Sequence, residues 1–104
     1  MFTIKANPTF KATVKIPGPG AKPGELTLIF KHLSRDKTAD FFARTTKSKA
    51  TDGVVLSEIV AGWEDVDAEF SAEALTELCQ EHHSAVAAIL DAYTAELRGA
   101  QAKN

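Results

Sequence analysis

Residues 9–16 read TFKATVKI, where apolar Phe10, Ala12, Val14 and Ile16 alternate with Thr9, Lys11, Thr13 and Lys15. Side chains of a strand point alternately to opposite faces, so this period of two predicts a strand with one buried and one wet face. ELTLIFKHL repeats the pattern, with Leu26, Leu28 and Phe30 on one side and Thr27, Ile29 and Lys31 on the other. Between them stands PGPGAKPG, whose prolines Pro17, Pro19 and Pro23 cannot donate ladder hydrogen bonds and whose glycines permit unusual dihedrals. The pair predicts an antiparallel hairpin over about residues 9–31, with residues 17–24 as a flexible loop at its tip. Pro8 interrupts FTIKANPTF, which leaves residues 2–5 as either a separate short strand or an ordered edge segment.

After Ser34, a suitable N-cap, the string RDKTADFFARTTKSK contains no Gly or Pro and predicts a helix of about three to four turns. Ala39 and Phe42, with Phe41 as a further candidate, form its inner face, and Lys47 and Lys49 sit at the end that favours cations. In TDGVVLSEIVAGW, the positions of Val55, Leu56, Ile59, Val60 and Trp63 predict one apolar face of a short helix, with Gly62 ending it and Trp63 at its exit. Ser71 is placed to cap the next helix. Phe70 just outside it and Leu75 at its fourth position have the spacing of a hydrophobic staple, and Glu73 suits the first turn. Leu75, Leu78 and Cys79 give this helix an inner face. QEHHS reads as a break, with Ser84 capping a last helix that carries Val86, Ile89, Leu90, Tyr93 and Leu97 on one stripe and closes at Gly99. Residues 99–104 are expected to fray. Strands followed by helices predict an α+β fold: an N-terminal antiparallel hairpin, with residues 2–5 as a candidate third strand, packed against three to four α-helices in a helical part spanning about residues 34–98.

Length limits this to one domain over residues 1–104, since a chain of this size can bury a single modest core. No apolar run reaches the ~18 residues that span a bilayer, and the N-terminal residues lack the h-region of a secretory signal, so the expected location is the cytoplasm. The lone Cys79 allows no internal disulfide. A net charge of -2 conceals a division: residues 1–50 carry ten Lys/Arg against Glu25, Asp36 and Asp40, a balance of +7, while residues 51–104 carry eleven acids against Arg98 and Lys103, a balance of -9. Such polarity suits a basic face that meets nucleic acid, or subunits that associate acidic side to basic side.

Candidate chemistry is sparse. Cys79 and His83 are four apart with His82 between, but a zinc site needs three or four protein ligands and nothing nearby supplies the rest. EDVDAEFS has neither the length nor the central glycine of a calcium loop, and GPGAKPG lacks the Gly-Lys-Ser/Thr ending and the N–H groups of a phosphate loop. No nucleophile elbow or acid/base pair stands out, so the expectation is a protein that is not an enzyme and holds no metal or cofactor.

The order of the pieces is informative: a Phe-rich hairpin, FKHL, a helix, LSEIVAGWEDV, FSAEAL, and a terminal helix with AVAAILDAYTAEL. Gly62-Trp63-x-x-Val66 followed by Phe70-Ser71-x-Glu73-x-Leu75 resembles the tail assembly chaperones of long-tailed, lambda-like bacteriophages and their prophage relatives. The chain carries Ser84 where such proteins often have a proline before the last helix. The resemblance implies a non-enzymatic protein of the bacterial host cytoplasm, absent from the mature virion, that binds the tape measure protein and recruits tail tube subunits. It also implies a longer frameshifted form, for which Ala102, Lys103 and Asn104 admit the slippery codons GCA AAA AAC. The charge division adds self-association that weakens with salt. Candidate partner-binding residues are Trp63, Val66, Phe70, Tyr93, Lys11 and Lys15, with Trp63 expected chiefly to close the core. The competing reading is a small nucleic-acid-binding regulator that uses the basic half; against it, the wet face of the strands has no interleaved aromatics and no helix-turn-helix spacing is present.

Overall fold

The computed structural model describes residues 1–99. Two long strands, β1 (Thr9–Gly18) and β2 (Ala21–Lys31), form the hairpin, and a third, β3 (Val60–Glu64), lies antiparallel on the other side of β2. Helices α1 (Arg35–Thr45), α2 (Asp52–Leu56), α3 (Ala72–Glu81) and α4 (Ala85–Leu97) complete an α+β fold. Phe10 faces Phe30, Ala12 faces Leu28 and Val14 faces Leu26, so the alternations of the two strands coincide and one sheet face becomes wholly apolar. α4 packs over β1, and α2 packs on α3.

The core between sheet and helices is built from Leu28, Phe30, Phe41, Ile59, Leu75, Ile89 and Tyr93, all without solvent exposure. Burying each such side chain contributes about 1.5–3 kcal/mol, which is how a chain without disulfides holds together. Phe10, Phe30 and Tyr93 pack with ring centroids 5.1 to 6.0 Å apart. The Tyr93 hydroxyl donates to the Lys31 carbonyl at 2.8 Å, which satisfies the one polar atom of a buried phenol. Two helix starts form as the caps predict: Ser34 Oγ accepts from the Lys37 N–H at 3.3 Å, and Ser71 Oγ accepts from the Ala74 N–H at 3.0 Å.

Residues 52–63 depart from the single helix their spacing predicts. α2 stops at Leu56, and the chain enters β3 at Val60. An apolar spacing of three and four is ambiguous over so few residues. The open edge of β2 decides it, since its ladder groups need partners and the Lys31 N–H donates to the Ile59 carbonyl at 2.7 Å. A register shift between Gly62 and Val60 lets both Val60 and Trp63 face the core despite a spacing of three. Gly62 is therefore a strand residue rather than a helix cap. It lies opposite Ile29, whose side chain would sit 3.7 Å from a Cβ placed there. Residues 2–5 join no strand.

The hairpin tip is also shorter than its composition predicts. Pairing continues to Gly18 opposite Ala21, with Pro17 and Pro23 both at the register irregularity beyond Ile16 and Gly24. Prolines are tolerated there because a bulge leaves ladder donors unused. Gly20 takes φ +66 in the turn, where glycine carries no steric penalty. In α1 the buried residue is Phe41, with Phe42 half-buried and Ala39 exposed, because the inner stripe runs Thr38, Phe41, Phe42, Thr45. Ser84 does not cap α4. Its hydroxyl donates instead to the Pro17 carbonyl at 2.6 Å, tying the hairpin to the α3–α4 corner. Residues 100–104, including most of the tail expected to fray and the Ala102 to Asn104 codons, lie outside the described residues.

Candidate protein-binding surface

Three of the six candidate partner residues, Trp63, Val66 and Phe70, bear on one region, the connection from β3 into α3. Trp63 stands on β3 opposite Leu28, half-buried against the core. Asp65 then takes φ +58, a left-handed conformation that aspartate tolerates better than most residues, and the chain doubles back. The Trp63 Nε1–H donates to the Ala68 carbonyl at 2.9 Å, which holds the turn against the indole. Phe70 meets the same ring edge to face at a centroid distance of 5.2 Å and an angle of 89°. Trp63, Val66 and Phe70 thus form one cluster, each partly exposed. The indole fills a core edge and also walls a cleft of about 330 Å³ with Val66, Ala74, Glu77 and Leu78.

Tyr93 is in the core at 0% exposure, so it belongs to the scaffold and not to a contact surface. Its place on the inward stripe of α4 is the reason: the same periodicity that predicts the helix turns this phenol toward Phe30. Lys11 and Lys15 lie on the outer sheet face, away from the Trp63 cleft. Lys11 Nζ reaches Glu64 at 2.7 Å, and Lys15 lies directly across from Glu25. Arg44 on α1 bridges to Asp40 and Glu58 at 2.8 and 3.0 Å, which raises its already high pKa further, the Glu58 bond acting most strongly. The charge division along the sequence is therefore partly cancelled in space, since Lys11–Glu64 and Arg44–Glu58 each join the basic half to the acidic one.

A second, larger groove of about 690 Å³ adjoins the cleft, between the hairpin tip and the start of the β3–α3 turn. Ile16, Pro19, Leu26, Val66 and Leu78 supply its apolar walls, and Glu25, Asp65, Asp67 and Glu81 stand against one lysine, Lys22, at its rim. Sequence reading did not find this groove, because its walls come from three separate segments. Residues 1–7 pack on nothing: Phe2 and Ile4 are 90% and 95% exposed. Cys79 is buried on α3, where desolvation pushes its thiol up to about 11, far from a reactive thiolate. Among the described residues no three His, Cys, Asp or Glu side chains converge to hold a metal ion, and no helix is long and apolar enough to cross a membrane.

A family model described as phage tail assembly chaperone matches residues 1–104, the whole chain. No curated protein and no solved structure matches it.

Proposed function

The chain belongs to the phage tail assembly chaperones, and from that premise we propose that it binds the tape measure protein and recruits tail tube subunits while the tail is built. It works in the cytoplasm of the bacterial host, catalyses no covalent step, requires no cofactor and is left out of the mature virion. It also associates with further copies of itself.

The observation that carries this reading is the Trp63 cleft. A tape measure protein is a long helix, and an amphipathic helix is recognised by laying its apolar stripe into a groove. Trp63, Val66 and Leu78 offer such a stripe a half-exposed apolar floor, and Glu77 and Asp67 beside it favour a helix with basic flanks. Nucleic-acid binding is disfavoured by the pairing of Lys11 with Glu64 and Arg44 with Glu58, which removes cations from phosphate contact.

Titration of the full chain with tape measure protein segments tests this. The double variant Ala74→Arg/Glu77→Arg fills the cleft and reverses its charge on an outer helix face, so binding should weaken at least tenfold while the denaturation midpoint stays close to native. Equal affinity of the variant and the native chain, or failure of the native chain to bind any tape measure segment, would defeat the proposal.

A further inference from the structure

Residues 1–7 and the hairpin side of the tip groove, with Ile16, Pro19 and Leu26, take no part in the Trp63 cleft, and their chemistry matches. We propose that the N-terminal arm of one copy docks in the hairpin-tip groove of another, with Phe2 and Ile4 in the apolar floor and Lys5 at the carboxylate rim. This rests on the self-association proposed above and names its contact.

Three observations support it. Phe2 and Ile4 are almost fully exposed, and two large apolar side chains in water on one short segment mark a contact surface. They alternate with Thr3 and Lys5, so an extended arm presents both apolar groups on one side and an extended strand fits a groove beside a hairpin. The groove is rimmed by Glu25, Asp65, Asp67 and Glu81 against Lys22 alone, which complements the arm's Lys5.

Geometry is against both apolar side chains of the arm reaching its own groove together. The chain is anchored where the Pro8 carbonyl accepts from the His32 N–H at 2.9 Å, at the end of the hairpin away from its tip. Ile4, four residues before Pro8, reaches at most about 14 Å from it even when fully extended. The groove begins at Leu26, opposite Val14, which lies six residues along from Pro8, or about 20 Å at strand rise. The arm of a second copy carries no such tether. Arm and groove are different surfaces, so the contact is head-to-tail and repeats from copy to copy rather than closing on itself as a symmetric pair does.

Sedimentation velocity on the full chain tests this with two variants. Phe2→Ser/Ile4→Ser disables the arm at exposed positions. Gly24→Arg disables the groove: a Cβ at Gly24 meets nothing within 4 Å and lies on the same face as Leu26, so the new side chain fills the groove and repels Lys5. The native chain should form concentration-dependent oligomers that shrink with salt. Each variant alone should be monomeric, with dissociation raised at least tenfold. A mixture of the two should give one-to-one dimers that grow no further, because only the arm of the Gly24→Arg copy and the groove of the arm variant remain competent. The proposal is overturned if the arm variant assembles like the native chain, if the mixture stays monomeric, or if the native chain is monomeric throughout. It is equally overturned if a tape measure segment occupies the groove and Gly24→Arg blocks it. Tape measure binding to the arm variant, measured separately, tests the chaperone reading without touching the mixing result.

Discussion

Gly53 sits in α2 with its backbone pressed against α3. Its N–H donates to the Thr76 hydroxyl at 2.8 Å, and a Cβ added to it would lie 2.7 Å from the Ala72 carbonyl carbon and closer still to that carbonyl's oxygen. On intrinsic grounds Gly53→Ala should help, since alanine is better than glycine in a helix by about 0.8–1 kcal/mol and narrows the unfolded ensemble. The steric effect has the opposite sign and is larger. Its obstacle is main chain and cannot rotate aside, so α2 must back away from α3. Overpacking of this kind costs about 1–3 kcal/mol, and stretching the bond to Thr76 adds about 1–3 kcal/mol for a donor left unsatisfied. Against a gain of about 1 kcal/mol from propensity, the net expectation is destabilisation by about 1–5 kcal/mol, which lowers Tm by at least about 4 °C in a domain of this size. Urea unfolding followed through Trp63 fluorescence measures it, with Gly18→Ala as the control because a Cβ at Gly18 meets nothing within 4 Å. A Gly53→Ala protein as stable as the native chain would refute the close approach of α2 to α3.

Three further outcomes are expected. Trp63→Ala removes a half-buried indole, its edge-to-face contact with Phe70 and its bond to Ala68, and should cost about 2–3 kcal/mol by chemical denaturation, below the range for a fully buried tryptophan. Ser84→Ala unties the hairpin from the α3–α4 corner and should cost about 1 kcal/mol, with faster amide exchange confined to the hairpin tip. Stability should fall at alkaline pH: burial raises the Cys79 thiol from 9.0 to about 11 and the Tyr93 phenol above its usual 10.0, so between these limits the unfolded chain releases protons that the folded chain retains. The Cys79 contribution is complete below pH 9 and disappears as pH rises through about 11, while that of Tyr93 is complete below pH 10; urea midpoints that stay level from pH 8 to 11 would contradict it, and Cys79→Ala should flatten the lower part of the decline.

The hairpin and two helix starts were legible in the sequence because they are local. The alternation through Val14 and Leu28 needs no knowledge of distant residues, and Ser34 and Ser71 satisfy donors three residues away. β3 was not legible, because Val60 and Trp63 face the core only through a register shift that the edge of β2 imposes. Ser84 read as a cap for the same reason: its true acceptor, Pro17, is 67 residues away in sequence. Of the candidate surface, the cluster of Trp63, Val66 and Phe70 followed from their spacing around one helix start. The hairpin-tip groove did not, since Ile16, Leu26 and Leu78 each read as ordinary core positions until the strands and α3 are brought together.

The central position of β2 bears on how the chain is made. Its partner on one side, β1, immediately precedes it, so the hairpin can zip as soon as both have left the ribosome. Its partner on the other side begins at Val60, and until that segment emerges one full edge of β2 stays unpaired with Leu28 and Phe30 uncovered. Synthesis therefore passes through an adhesive half-sheet, and the rate at which residues 32–64 are translated sets how long each nascent chain is exposed to capture by its neighbours on the same message.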